Sequence, residues 1–248
     1  MRICISGTSG QGKSTFIKDF LEEWPMYTTP DTSYRDELKR THSKKTNEDI
    51  QWKILNTMLD EQQKYGSEDY ILYDRSTLDN IVYTLWAHAK DPKKVSEEFV
   101  NKCIPLVRES FKLLDIVFFM PITKYGVVDH NTDKYKKNVK KGLTDDDYRL
   151  EIDNLFKAIK KDWDINSESK FFDPHDKPGF IEIFGSERER IQMVKLYLDN
   201  DGDLIGGDGL DVEKLLTPDE IEAQETIKQH FGIEDSTTEA LKNPKGYE

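Results

Sequence analysis

The sequence predicts an α/β protein in which a five-stranded parallel sheet is wrapped by helices. Three observations support this fold class. Strand-like and helix-like segments alternate along residues 1–198, a glycine-rich stretch joins the first strand to the first helix, and 36% hydrophobic residues with 11% aromatics suffice for a core. Parallel strands need long crossover connections, which helices provide, so this alternation is typical of such a sheet.

The predicted strands are short runs of apolar, β-branched and aromatic residues. They span residues 2–6, 26–29, 70–73, 115–120 and 180–184. The fourth has the strongest core, Ile116-Val117-Phe118-Phe119, and Pro121 closes it. The third ends at Asp74 and Arg75, which places a carboxylate and a guanidinium directly after a strand.

Apolar residues at helical spacing predict the intervening helices. These span residues 13–23, 34–40, 48–64, 78–89, 95–114, 147–163 and 187–198. Trp24-Pro25 ends the first helix, because a residue before proline disfavours the helical conformation. The segment around 122–146 is polar and lysine-rich without an apolar period, so we expect a loop or lid over about 122–150.

Charge is distributed unevenly along the 248 residues. The formal net charge is −12, and residues 199–248 alone hold 14 Asp and Glu against 4 Lys and Arg. We therefore expect a main domain over residues 1–198 and an acidic C-terminal extension over residues 199–248, with a short helix at 218–230. A nearly neutral main domain does not exclude an anionic substrate.

The start of the extension resembles a calcium-binding loop only in part. Asp199, Asn200, Asp201 and Asp203 carry side-chain oxygens, but leucines stand at 204 and 210, where an EF-hand loop has glycine and glutamate. A solvated linker or turn is the favoured interpretation. The five histidines show no ligand spacing, so we expect no zinc site.

Compartment and membrane association are inferred from simple sequence features. No run of about 18 apolar residues is present. Residues 1–6 enter a strand-like run without a signal-peptide pattern. Cys4 and Cys103 lie in apolar contexts, and two cysteines cannot form a disulfide framework that stabilises a domain of this size. These features predict a cytoplasmic protein with no membrane span, and a homodimer is left open as its assembly.

The motif that carries the chemistry lies between the first strand and the first helix. A full match to G-x-x-x-x-G-K-[ST] is formed by Gly7, Thr8, Ser9, Gly10, Gln11, Gly12, Lys13 and Ser14. Glycines let backbone N–H groups approach phosphate oxygens, and the helix N-terminus adds its dipole. We expect Lys13 to bridge the β- and γ-phosphates of ATP and Ser14 to ligate Mg²⁺, within an ATP-binding segment that runs to Thr15. The alternative is a glycine-rich turn with an exposed lysine.

Asp74 and Arg75 are expected beside the same crevice, because they follow the carboxyl end of a strand. Asp74 is predicted to hold Mg²⁺ or its bound water, and Arg75 to bind a phosphate or sugar oxygen of the substrate. The alternative is a structural ion pair between the two side chains.

Two further segments supply candidate catalytic groups. Asp31 follows the second predicted strand, where a carboxylate can accept the proton of an attacking hydroxyl, and Arg35 lies one helical turn later. The alternative is that Asp31 caps a helix beginning near Ser33. Arg149 opens the helix after the lid and would stabilise charge on the transferring phosphoryl group; the alternative is an exposed surface arginine. Asn101-Lys102 lacks the acid of a GTP-specificity loop, so a GTPase switch is disfavoured.

Together these segments resemble the P-loop nucleoside and nucleotide kinases. Asp74-Arg75-Ser76 is similar to the Asp/Glu-Arg-Ser of deoxynucleoside kinases and to the Asp-Arg of thymidylate kinases. Pro30-Asp31 followed by Arg35 is similar to the acidic–arginine pair of nicotinamide-riboside kinases. The resemblance covers residues 1–198. It implies a P-loop kinase fold with sheet order 2-3-1-4-5, a lid that closes over ATP, and a base or magnesium partner at Asp31. The long lid and the acidic extension depart from this pattern.

The leading prediction is a kinase that uses ATP and Mg²⁺ to phosphorylate a nucleoside or nucleotide. One alternative is a polynucleotide-directed kinase that acts on a hydroxyl of a modified base in DNA, such as hydroxymethyluracil. The lid lysines of the Lys134–Lys141 run could then follow a phosphate backbone. A second alternative is a non-enzymatic nucleotide-binding switch or ATPase that regulates a partner through its acidic extension. The sequence leaves the acceptor open.

Overall fold

The computed structural model describes residues 1–31, 47–123, 146–166 and 168–205. All but residues 204 and 205 belong to the first of the two units into which the chain divides, residues 1–203. The strands are β1 (Arg2–Ser6), β2 (Ile71–Asp74), β3 (Ile116–Phe119) and β4 (Gly179–Glu182). The helices are α1 (Lys13–Glu23), α2 (Glu48–Lys64), α3 (Thr77–Lys90), α4 (Glu97–Ser110), α5 (Asp146–Ile165) and α6 (Glu187–Val194), with a 3₁₀ turn at Phe111–Leu113.

The four strands form one parallel sheet with the order β2-β1-β3-β4. Ile5 of β1 lies opposite Asp74 of β2 and Phe118 of β3. The carboxyl ends of these three strands therefore meet at one edge of the sheet, where the loops that follow them can gather functional groups. The predicted α/β class, with a parallel sheet and covering helices, is confirmed.

The prediction of five strands is wrong for the described residues, because the segment 26–29 forms no strand. Only Thr28 pairs, as an isolated parallel bridge to Ile71 on the outer side of β2. Its N–H donates to the carbonyl before Ile71 and its carbonyl accepts from the N–H after it, both at 2.8 Å. The next donor of a parallel ladder would be residue 30, and Pro30 has no N–H. On the other side, residues 25 and 26 already form a turn.

Helices cover both faces of the sheet. Alternate residues of a strand point to opposite faces, and Ile3 and Ile5 lie in one apolar cluster while Cys4 lies in the other. Residues of α1 and α6 complete the first cluster, and residues of α2, α3, α4 and α5 complete the second. Burial on both faces explains why the strand sequences are nearly continuous apolar runs.

Two helices that border the carboxyl edge of the sheet begin at capping boxes. Ser76 caps α3 together with Asp79, and Ser186 caps α6 together with Glu189. Such caps satisfy N–H groups of the first turn, which have no partner inside the helix. Local sequence therefore determines the residues at which α3 and α6 begin.

Residues 199–203, predicted as the start of the extension, pack against the main domain. The indole N–H of Trp24 donates to the carbonyl oxygen of Asp199, and the hydroxyl of Tyr27 donates to that of Gly202, both at 2.7 Å. The boundary proposed at residue 198 stays a prediction.

Several predicted segments lie outside the described residues. They are the helices 34–40 and 218–230, most of the lid segment 122–150 with its lysine run 134–141, and the extension beyond residue 205. In the parts of the chain that the structure describes, no helix combines the length and the apolar character needed to cross a membrane.

Candidate functional site

The loop between β1 and α1 has a backbone that glycine adopts far more readily than other residues. Gly7, Gly10 and Gly12 have φ angles of 135°, 77° and 82°. A Cβ atom on Gly7 would lie 2.7 Å from the carbonyl oxygen of Met120, so there is no room for a side chain there. Gly12 is the N-cap of α1. The first-turn N–H groups of that helix form, with the loop, the kind of site that binds phosphate.

Lys13 is the first residue of α1, and its side chain folds back over the loop. Its Nζ donates to the carbonyl oxygens of Gly7 and Thr8, at 2.6 Å each. Lys13 is only 5% exposed. The alternative of an exposed lysine on a turn is therefore wrong. Ser14 and Thr15 are exposed at the start of the same helix.

Arg149 of α5 reaches the loop from a helix 140 residues further along the chain. Its Nε donates to the carbonyl oxygen of Ser9 at 2.9 Å, and the residue is 4% exposed. A Cβ atom on Gly10 would lie 3.4 Å from the Cζ of Arg149, so glycine leaves room for the guanidinium group. The alternative of an exposed surface arginine is wrong.

Arg190 of α6 contacts the same loop and was not predicted from the sequence. Its Nη1 donates to the carbonyl oxygen of Gln11 at 2.9 Å. A Cβ atom on Gly12 would lie 3.0 Å from that nitrogen. Burial lowers the pKa of the Arg190 guanidinium. The available signal was its position in the first turn of the helix after the last strand, at the sheet edge where α/β sites form.

Helix α5 is anchored near the site by Asp153, one turn after Arg149. The buried carboxylate of Asp153 accepts from the N–H of Ile122 at 2.8 Å and pairs with Lys157 at 2.6 Å. Ile122 lies shortly after β3, and β3 runs next to β1. This anchor holds the first turns of α5 at the edge of the sheet where the glycine-rich loop begins.

Strand β2 ends at Asp74, and Arg75 starts the turn into α3. Arg75 has a φ angle of 80°, a left-handed conformation that is uncommon for a residue with a side chain. Its N–H donates to the carbonyl oxygen of Ile5 at 3.1 Å, and its Nη1 lies 3.1 Å from Oδ1 of Asp79. Its Cζ lies 5.1 Å from the centroid of the Tyr83 ring. The guanidinium group is thus placed between a carboxylate and an aromatic ring.

Asp79 is the second residue of the site that the sequence analysis missed. Its carboxylate accepts from the hydroxyl of Ser6 at 2.7 Å and from the N–H of Gly7 at 3.4 Å, besides Arg75. Burial raises the pKa of the Asp79 carboxyl, and the charges of Arg75 and Lys13 counter part of that rise. The available signal was the capping-box spacing from Ser76 to Asp79.

Asp31 lies beyond the outer side of β2. Its hydrogen bonds within the described residues are with Tyr65, whose hydroxyl is 3.4 Å from both the N–H and the Oδ2 of Asp31. Thr28 pairs with Ile71. Asp31 lies three residues after Thr28, and Asp74 lies three residues after Ile71. Arg35, its predicted companion, lies outside the described residues.

This edge of the sheet offers an anion site together with oxygen ligands. Ser14 and Asp74 carry the oxygen donors that Mg²⁺ prefers, so the donor set fits that ion when phosphate oxygens complete its shell. Among the described residues, no group of three or more His, Cys, Asp or Glu could hold a metal ion alone.

The sequence matches a known protein family. The model of the AAA domain family, AAA_28, matches residues 2–166, a range that includes the glycine-rich loop, Asp74 and Arg149. Among curated proteins, no significant match is found.

Solved structures with a similar fold include a deoxyadenosine kinase. The M. mycoides enzyme with the products dCMP and a flexible dCDP bound has 17% identity and a TM-score of 0.54, over 78% of this chain and 96% of that chain. The same enzyme with bound dATP has 18% identity and a TM-score of 0.52, over 78% of this chain and 97% of that chain. The predicted resemblance to P-loop nucleotide kinases is confirmed at the level of the fold.

Proposed function

We propose that this chain, which belongs to the AAA domain family AAA_28, is an ATP-dependent kinase that phosphorylates a nucleoside or nucleotide. The observation that carries the proposal is the arrangement at the carboxyl edge of the sheet. There the Lys13 side chain folds over the glycine-rich loop, and Arg149 from α5 contacts the same loop. Asp79 also contacts the loop and pairs with Arg75, which follows β2. Phosphoryl transfer depends mostly on positioning and charge stabilisation, and these groups supply both.

On the ATP side, the loop N–H groups and Lys13 bind the phosphates. The Lys13 ammonium group now contacts the carbonyl oxygens of Gly7 and Thr8, and we expect it to exchange them for β- and γ-phosphate oxygens. Arg149 and Arg190 contact loop carbonyl oxygens, so they stabilise the loop without occupying its N–H groups. Arg149 also places a positive charge beside the transferring group.

Ser14 and Asp74 are the proposed ligands of Mg²⁺, which when bound neutralises charge on the phosphates. On the acceptor side, Arg75 is proposed to bind an oxygen of the substrate, and Asp31 to accept the proton of the attacking hydroxyl. The exposure of Asp31 beside Tyr65 is compatible with access to a substrate.

The acceptor class is proposed from the fold. The deoxyadenosine kinase of similar fold carries dCMP in one structure and dATP in another, so deoxynucleosides and their monophosphates are the first candidates. The alternatives of a DNA-directed kinase and of a nucleotide switch depend on residues 134–141 and 206–248, which lie outside the described residues. They rest on the sequence alone.

An acceptor screen tests the proposal. The purified full chain is incubated with Mg²⁺, [γ-³²P]ATP and a panel of nucleosides, deoxynucleosides, their monophosphates and DNA containing hydroxymethyluracil. A Lys13→Ala preparation, purified in parallel, reveals contaminating kinases. Transfer to a small nucleoside or nucleotide supports the proposal. Transfer to the modified DNA alone, or slow ATP hydrolysis that no acceptor stimulates, would overturn it in favour of one of the two alternatives.

A further inference from the structure

We propose that Asp79 is a positioning residue that holds the guanidinium group of Arg75 in place for acceptor binding, an inference that rests on the function proposed above. Asp79 lies in the first turn of α3 and is 1% exposed. No role was predicted for it from the sequence. The assignment follows from what its carboxylate joins in the folded chain.

The Asp79 carboxylate joins the ends of two neighbouring strands. From the β1 side it accepts from the hydroxyl of Ser6 at 2.7 Å and from the N–H of Gly7, the first residue of the glycine-rich loop, at 3.4 Å. From the β2 side it accepts from Nη1 of Arg75 at 3.1 Å and from the N–H of Ser76 at 3.4 Å. A single buried side chain thereby ties the proposed ATP loop to the proposed acceptor arginine.

Arg75 needs such support because its backbone is unfavourable. Its φ angle of 80° is in a region that residues with side chains rarely adopt, and such conformations persist where surrounding contacts determine them. The bond from its N–H to the carbonyl oxygen of Ile5 fixes the backbone. The ion pair to Asp79 and the Tyr83 ring, 5.1 Å from Cζ, fix the side chain. Because the backbone and the side chain of Arg75 are both held, its guanidinium group keeps one orientation at the carboxyl end of β2.

A carboxylate suits position 79 because it accepts all four of these contacts, and three of the partners, two backbone N–H groups and the Arg75 guanidinium, can only donate. An asparagine could accept with its oxygen, but its NH₂ group would face a donor and would leave the Arg75 charge without its anion. The same four donors occupy the oxygens of Asp79 in a buried position. Asp79 therefore acts through Arg75 and is not itself placed to touch the substrate.

The proposal is tested by steady-state kinetics on Asp79→Asn, Arg75→Ala and the double variant, with the acceptor of highest rate in the panel above. We expect Asp79→Asn to raise the acceptor KM by roughly 10- to 100-fold, as for the loss of a hydrogen bond to a charged group. The ATP KM should rise less than the acceptor KM, because the direct contact of Asp79 with the glycine-rich loop is one long hydrogen bond, 3.4 Å from the N–H of Gly7. Because Asp79 acts through Arg75, the double variant should be no worse than Arg75→Ala alone.

A matched control lies at the opposite edge of the same sheet. Asp115 pairs with Arg2, its Oδ1 lying 3.1 Å from Nη2, near the amino ends of β1 and β3. Asp115→Asn also breaks an aspartate–arginine pair, so it should lower the Tm while both KM values stay as in the wild type. If the role of Asp79 were purely structural, Asp79→Asn and Asp115→Asn would both lower the Tm and leave both KM values unchanged.

The outcomes separate this inference from the proposed function. A wild-type protein without acceptor-dependent transfer overturns the proposed function before any variant is made. If the wild type is active, either of two results overturns only the role of Asp79. One is that the effects of the two substitutions on the acceptor KM multiply in the double variant. The other is that Asp79→Asn raises the ATP KM as much as the acceptor KM. If Asp79→Asn does not fold, the same cycle is run with Asp79→Glu. If neither variant folds, Asp79 is a folding residue and the inference is wrong.

Discussion

Arg149 of α5 donates its Nε–H to the carbonyl oxygen of Ser9, 140 residues earlier in the chain, at 2.9 Å. Arg190 of α6 makes the equivalent contact with the carbonyl oxygen of Gln11, also at 2.9 Å. Between these two carbonyls lies Gly10, whose missing side chain leaves room for the first arginine. The glycine-rich loop is therefore held by two helices that follow it in the chain, as well as by its own glycines.

Lys13→Ala is expected to remove most phosphoryl transfer. Electrostatic groups at a transferring phosphoryl contribute about 3–4 kcal/mol each, so kcat should fall by roughly 10²–10³-fold. The two hydrogen bonds to Gly7 and Thr8 are lost as well, so a modest drop in Tm is expected. The matched control is Lys18→Ala on the same helix, where the lysine is exposed and pairs with Glu22. Near-normal turnover by a folded Lys13→Ala protein would contradict the loop assignment.

Asp31→Asn and Asp74→Asn should fail in different ways. If Asp31 is the base, its variant keeps the wild-type Mg²⁺ dependence and loses kcat by roughly 10²–10⁴-fold. If Asp74 is a magnesium ligand, its variant needs a higher Mg²⁺ concentration for half-maximal rate. The measurement is a Mg²⁺ titration of the rate at saturating ATP. Superimposable titration curves for both variants and the wild type would rule out the proposed division of roles.

Arg190→Ala should weaken ATP binding, because the loop loses a contact to the carbonyl oxygen of Gln11. One hydrogen bond is worth about 1 kcal/mol, so the ATP KM should rise roughly 2- to 10-fold with little change in the acceptor KM. Arg188 lies on the same helix and is exposed, which makes Arg188→Ala the control. An equal rise of the ATP KM in both variants would point to the charge of α6 instead of the contact.

Gly7→Ala should destabilise the fold. The new Cβ atom would lie 2.7 Å from the carbonyl oxygen of Met120, at a φ angle of 135°. Strain of this kind costs about 1–3 kcal/mol, which urea unfolding resolves. Gly179→Ala is the comparison, since the nearest atom to its Cβ would be 3.8 Å away. We expect Gly179→Ala to stay within about 0.5 kcal/mol of the wild type, and comparable losses in the two variants would argue against the loop geometry.

Both cysteines should be unreactive in the native state. Cys4 and Cys103 are buried, and burial raises the pKa of both thiols, that of Cys103 to about 11. At pH 8 each group is then mostly the neutral thiol, and the thiolate is the reactive form. Titration with Ellman's reagent at pH 8 should detect almost no thiol in native protein and two after addition of guanidinium chloride. Reaction of either thiol within minutes in native protein would contradict its placement in β1 or α4.

Local sequence patterns were sufficient to predict most of the elements in the described parts of the chain. The bounds of α1 and α2 agree with the predicted 13–23 and 48–64, and β3 coincides with the predicted Ile116–Phe119 core. These elements are recognisable because apolar spacing, caps and glycines act over a few residues. The glycine-rich loop was found for the same reason, since the residues that its backbone requires lie in eight consecutive positions.

Contacts between distant segments settled the remaining features. The segment 26–29 has strand-like composition, yet a strand also needs an unbroken ladder with its neighbour, and Pro30 removes the next donor beside β2. Arg190 and Asp79 reach the loop across 179 and 72 residues, and nothing in their own neighbourhoods indicates those partners. Backbone conformation depends on steric contacts between neighbouring residues, so the sequence predicts it. The partner of a buried charge depends instead on how whole helices and strands pack, because that packing brings the donors within reach.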